Sequence, residues 1–181
     1  MDHQSIENAV RLWLQTVVID LNLCPFAERA LIKNGVRFIV TEATTEEQLL
    51  LVLHEEFNNM SGDATIETTL LIHPDVLQEF DAYNQFLLSS DRLLVMMDLE
   101  GVYQVASFHP DYQFENTAPG DVENYTNRSP FPMLHILREA SLNAAIDKHP
   151  DVHQIPEQNI RRMREMGPVR MQALLRACLV S

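Results

Sequence analysis

The sequence predicts an α/β fold: a small, mainly parallel three-stranded sheet with helices on both faces and an all-helical C-terminal part. Three observations lead there. Three short segments rich in β-branched and apolar residues are separated by two amphipathic helical stretches, and such alternation implies right-handed crossovers and a parallel sheet. Beyond residue 155 the prolines Pro156 and Pro168 mark two helix starts with no further strand-like run. The chain of 181 residues is 46% hydrophobic and 22% charged, enough to bury a core without disulfides or metals. The expectation is a single domain over 1–181, with 156–181 a helical extension packed on it.

The elements follow in order. Ile6, Val10, Trp13, Val17 and Leu21 recur at helical spacing, which predicts a helix over 5–23 that Cys24-Pro25 breaks. A short helix over 25–33 follows, ended by Asn34-Gly35. Residues 36–40 read as the first strand. Thr44, Thr45, Glu47 and Gln48 form overlapping capping-box patterns, opening a helix with Leu50, Leu53 and Phe57 on one face that runs to Asn59. Ser61-Gly62-Asp63 is a turn and 66–72 the second strand. His73-Pro74-Asp75 opens a long helix that carries Val76, Phe80, Tyr83 and Leu87, extends to about Leu99 and is ended by Gly101. Residues 102–108 form the third strand. The polar, aromatic-bearing stretch 110–129 is a loop of a length that compact domains keep for function or leave disordered. Ser129-Pro130 then opens a helix with Leu134, Leu137, Ser141 and Ala144 on one face.

Charge narrows the partners. The net charge of −13 repels phosphate backbones, so nucleic acid is not expected. Residues 1–155 hold 8 Lys and Arg against 24 Asp and Glu; residues 156–181 hold five Arg against Glu157 and Glu165. Complementarity alone packs this basic segment on the acidic body. The sharper reading is a docking surface for an acidic protein through Arg161, Arg162 and Arg164. The start, Met1 to Glu7, is acidic and polar, unlike a signal peptide. The longest aliphatic run, 49–53, is far short of a membrane span. Two distant cysteines, Cys24 and Cys178, are no disulfide framework. A cytoplasmic location away from membranes is expected.

Ligands of open parallel sheets bind beyond the carboxyl ends of the strands, where the sequence places Thr41-Glu42, His73 and His109. Both histidines precede proline and are biased toward extended backbone. Cys24-Pro25, His73-Pro74 and Ser129-Pro130 each look like a cap followed by proline at the first helical position. Serine is a favoured cap, whereas cysteine and histidine are not. A helix N-terminus lowers a thiol pKa and keeps a nearby imidazole neutral. Cys24 is thus a candidate thiolate, and His73 and His109 candidate bases or ligands. The loop adds Tyr112, Asn124, Tyr125, Asn127 and Arg128. An arginine beside a helix start suits a carboxylate or phosphate, with Ser129 adjacent and His135, Arg138 and Glu139 one to two turns on. Plainer roles stand beside these: Cys24 as buried filler, the histidines as hydrogen-bonding core groups, Arg128 paired with Glu123 or Asp121, and Asn124, Asn127 and Ser129 as local turn residues. A Gly-rich phosphate loop, a nucleophile elbow, a His-Glu-x-x-His helix and a Cys-x-x-Cys pair are all missing.

The segments Leu-Cys-Pro-Phe-Ala at 23–27, Leu-Leu-Ile-His-Pro at 70–74, Val-Ala-Ser-Phe-His-Pro at 105–110 and Glu-Asn-Tyr-Thr-Asn-Arg-Ser-Pro at 123–130 resemble a bacterial family catalogued as a domain of unknown function. The similarity runs from the first helix to about Gly167, with Phe131 where many relatives are expected to carry Tyr. The resemblance implies a bacterial cytosolic protein and brings no activity, cofactor or site residues with it.

Three functional expectations result. One is an enzyme for a small anionic metabolite, with Cys24 as nucleophile, His73 or His109 as base, and Arg128 holding the anion with Asn124, Tyr125, Asn127, Ser129 and Arg138 around it. The second places a divalent metal on Cys24, His73 and His109, with a haem iron as a variant. The third is a binding or adaptor module using the 110–129 loop and the basic C-terminal helices.

Overall fold

A computed structural model describes residues 1–148 and 151–180. Among them lie seven α-helices and one four-stranded mixed sheet of order β1-β2-β4-β3. Among the described residues no helix is long and apolar enough to cross a membrane.

The first helix, α1 (His3–Trp13), is capped by Asp2, which accepts from the Ser5 N–H at 2.7 Å. It buries Ile6, Ala9, Val10 and Trp13, the stripe read in the sequence. Its continuation, Leu14–Ile19, is π-helical, and the wider winding is visible in the N–H of Asp20 bonding to the Gln15 carbonyl, five residues back. α2 (Ala27–Ile32) leads to β1 (Val36–Val40). α3 (Glu46–Gly62) starts at Thr45, whose hydroxyl accepts from the Gln48 N–H, while the Gln48 side chain accepts from the Thr44 N–H. β2 (Thr68–Ile72), α4 (Phe80–Met96) and β3 (Tyr103–Phe108) follow. The chain then passes through the long loop, with a 3-10 turn at Val122–Thr126, into β4 (Met133–Arg138) and α5 (Glu139–Ile146). α6 (Ile155–Met166) and α7 (Pro168–Cys178) meet at Gly167, whose φ of +75° suits glycine.

Two expectations are corrected. The sheet has four strands rather than three, because Met133–Arg138 is a strand, not the face of a helix opened by Ser129-Pro130. It lies between β2 and β3, antiparallel to both. A central strand buried on both sides reads as an almost continuous apolar run, which periodicity does not separate from a buried helix. The second correction concerns α4, which begins at Phe80 and not at His73-Pro74. Leu77 has a φ of +58°, and a left-handed residue interrupts any helix.

β1, β2 and β3 still share one direction, since β1 is parallel to β2 and β4 opposes both β2 and β3. The sheet has apolar residues on both faces. Phe38, Leu70, Ile72 and Met133 face α1, its π-helical extension, α6 and α7, whose Met163, Met171 and Cys178 are buried there. Leu71, Leu134 and Ile136 face α3 and α4.

Candidate functional site

The predicted rim exists. Ile72 and Phe108 both register with Met133, so His73 and His109 leave the sheet side by side. Both side chains turn toward α4 and are fully buried. Tyr83 stands between them, its ring 5.8 Å from His73 and 5.1 Å from His109. The His73 Nδ1–H donates to the Val76 carbonyl at 3.0 Å. The His109 Nε2–H donates to the Leu77 carbonyl at 3.2 Å, and its Nδ1 accepts from the Asp111 N–H. Each carbonyl can only accept, which fixes the neutral tautomers. Burial holds the His73 pKa down to about 4 and lowers that of His109. The two imidazoles pin the turn that contains the left-handed Leu77; the Nε2 of His73 is buried with no hydrogen-bond partner.

The loop residues build the loop. Arg128 does not precede a helix: its Nε donates to the Tyr112 carbonyl at 3.1 Å, its Nη2 to the Pro119 carbonyl at 2.7 Å, and its guanidinium lies over the Tyr125 ring. Asn124 is buried; its Oδ1 accepts from the Phe114 N–H and the Thr117 hydroxyl, and its Nδ2 donates to the Ala118 carbonyl. Asn127 donates to the Ser107 carbonyl and Ser129 to the Phe131 carbonyl. Tyr125 is packed in the core beside Trp13 and Met163. Arg138, at the end of β4, donates to the carbonyls of Met60, Asp63 and Ile66 and to the Tyr103 hydroxyl. These groups are engaged by the protein itself, so the structure does not assemble the expected anion cradle. On α6, Arg164 pairs with Glu123 at 3.2 Å and Arg162 with Glu165 at 3.6 Å, while Arg161 is exposed.

Cys24 is elsewhere. It packs against the core on the opposite face of the sheet from the two histidines, so the three do not form one ligand set. Among the described residues no three His, Cys, Asp or Glu side chains are grouped to hold a metal ion. Burial raises the Cys24 pKa, against a smaller opposing effect of the Phe26 and Ala27 N–H groups. The thiolate expected from a helix N-terminus is therefore a thiol at neutral pH.

What Cys24 does border is a cavity of about 430 Å³. Its floor is the sheet, with Leu70, Phe108, Leu137 and His135. Trp13, Leu14 and Val18 form one wall, Cys24-Pro25-Phe26 and α2 another, and Leu142 and Ala145 of α5 a third. Arg29 and Lys148 lie at its polar margin with Glu67, which pairs with Arg29 at 3.6 Å. The π-helical segment supplies part of the wall, as such segments often do at functional sites. A second depression, about 570 Å³, opens between the start of α3 and the Val76–Glu79 turn and is edged by Glu46, Glu47 and Glu79. It is shallow and open to solvent, so the apolar cavity is the better ligand site.

His135 lies on the floor of the apolar cavity with Thr68 and Gln104 as further polar neighbours; the sequence named it only as a helix residue near the expected anion site of Arg128. Read as a helix, 130–144 sets it beside Arg138 and Glu139. Read as a strand, alternation puts Met133, His135 and Leu137 on one face and Leu134, Ile136 and Arg138 on the other. The His135 Nε2 lies 2.6 Å from the Thr68 hydroxyl, which itself donates to the Ile136 carbonyl at 2.7 Å. Burial holds the His135 pKa at about 4.

The chain matches over residues 5–173 the family model described as "Protein of unknown function (DUF1415)", and it belongs to that family. No curated protein and no solved structure matches it.

Proposed function

Starting from that membership, we propose that this chain binds a small, largely apolar molecule in the cavity between α2, α5 and the sheet, and that this cavity rather than the histidine rim is its functional site. One observation carries the reading: an apolar recess of about 430 Å³ that meets a single imidazole on its floor. Ligand sites characteristically combine apolar walls with a few placed polar groups, in volumes of roughly 300–1,000 Å³. Nδ1 of His73, both ring nitrogens of His109 and the loop arginine, by contrast, already have partners within the protein.

The test uses Trp13, the one tryptophan of the chain, which lines the cavity. Titration with small alkylbenzenes is expected to shift its emission and raise the melting temperature. Ala145→Phe, which narrows the cavity from α5, is expected to weaken both effects. No response to any compound that fits would overturn the proposal.

A second reading adds chemistry to binding. Cys24 and His135 line the same cavity, and this favours an enzyme in which Cys24 is the nucleophile and His135, rather than His73 or His109, takes its proton. The raised thiol pKa requires proton transfer on attack rather than a standing thiolate.

A further inference from the structure

The hydrogen bonds beneath the cavity define what its imidazole offers. The Thr68 hydroxyl has one hydrogen, and it goes to the Ile136 carbonyl at 2.7 Å. Toward His135 that oxygen can only accept, so the contact of 2.6 Å is made by a hydrogen on Nε2 of His135. A neutral imidazole with its proton on Nε2 carries a lone pair on Nδ1. No hydrogen bond from the described residues reaches that atom. His135 lines the cavity, so the acceptor at Nδ1 is the hydrogen-bonding capacity that this residue has left for an occupant, set by the backbone of β4 through Thr68 of the neighbouring strand.

We infer, resting on the reading of this cavity as a ligand site, that its occupant is a neutral molecule with an apolar body and a hydroxyl that donates to Nδ1 of His135, a phenol or a comparable alcohol. A carboxylate at Nδ1 would bring lone pairs against a lone pair, and the cations Arg29 and Lys148 stand at the margin rather than on the floor, Arg29 already paired with Glu67; an ether or hydrocarbon would leave the acceptor unpaired in an apolar setting. Burial keeps the imidazole uncharged through the neutral range, so it does not become a donor to anions there. The size agrees. A cavity of roughly 150 Å³ admits benzene, and this one, at about 430 Å³, has room for a substituted ring. Cys24 on the wall contributes no acceptor of comparable strength, since a thiol sulfur is a weak one.

The experiment compares 4-propylphenol, its methyl ether 4-propylanisole and 4-propylbenzoate by calorimetric titration of the full chain at neutral pH. The phenol is expected to bind about fivefold to tenfold more tightly than the ether, as one hydrogen bond implies, and the benzoate more weakly than either. In His135→Phe the phenol is expected to lose its advantage while the ether still binds. The nitrogen chemical shifts of His135 in the unliganded protein give a second measurement, with Nδ1 expected to be unprotonated. Equal affinity for phenol and ether, tightest binding of the benzoate, or a proton on Nδ1 would each overturn the inference and leave the cavity as a ligand site. Failure of all three compounds to bind the unaltered chain would remove the cavity reading itself.

Discussion

The indole N–H of Trp13 donates to the backbone carbonyl of Arg128 at 3.0 Å. This bond ties the first helix to the end of the long loop, and Trp13 also packs edge-on against Phe108 with ring centroids 5.2 Å apart. Trp13→Phe keeps most of the aromatic volume but leaves the carbonyl without that donor. The expected cost is about 1–2 kcal/mol, read as a lower urea midpoint with an unchanged slope by circular dichroism. An unaltered midpoint would mean that water replaces the indole at no cost.

Burial holds His73 at about 4, below its ordinary 6.5. The unfolded chain therefore takes up a proton that the folded chain refuses, and stability falls as pH drops through the interval between those two values. For His73 alone the loss is roughly 2 kcal/mol on going from about pH 6.5 to pH 5. His109 and His135 are shifted in the same direction. Urea unfolding across this range is expected to show a marked decline for the unaltered protein and a shallower one for His73→Gln. Parallel declines in the two proteins would show that His73 does not titrate on unfolding.

Because burial raises the Cys24 pKa, iodoacetamide is expected to modify Cys24 slowly at pH 7, with the rate climbing only above the ordinary thiol range of about 8.5. Measured in a Cys178→Ser background, the rate should fall further when a cavity ligand is present, since Cys24 lines the wall. A fast reaction with a low apparent pKa would restore the standing thiolate. Indifference to bound ligand would place Cys24 outside the working site.

Much of the frame was legible in the sequence. The stripe Ile6, Val10, Trp13 and the Thr45–Gln48 cap produced α1 and α3 because side-chain periodicity and local capping are short-range signals. The rim placement of His73 and His109 was legible too, since β2 and β3 share a direction in spite of the strand between them. What failed was long-range. Whether Arg128 faces a ligand or its own loop depends on where the Tyr112 and Pro119 carbonyls come to rest, and no local pattern encodes that. The role of His135 depended on reading Met133–Arg138 as a strand, and its two buried faces hid the alternation. The π-helical turns of Leu14–Ile19 left no mark that the apolar spacing would reveal.

The position of β4 has a bearing on how the chain acquires its shape. The strand that joins the two halves of the sheet is the last of the four to be made. Until Met133–Arg138 arrives, β1 and β2 can pair with each other, but β3 has no partner. Sheet closure therefore waits for contacts far apart in sequence, a slow class of event. A ribosome-bound fragment ending before Met133 would expose two open strand edges, and the emerging β4 would be drawn into the gap between them.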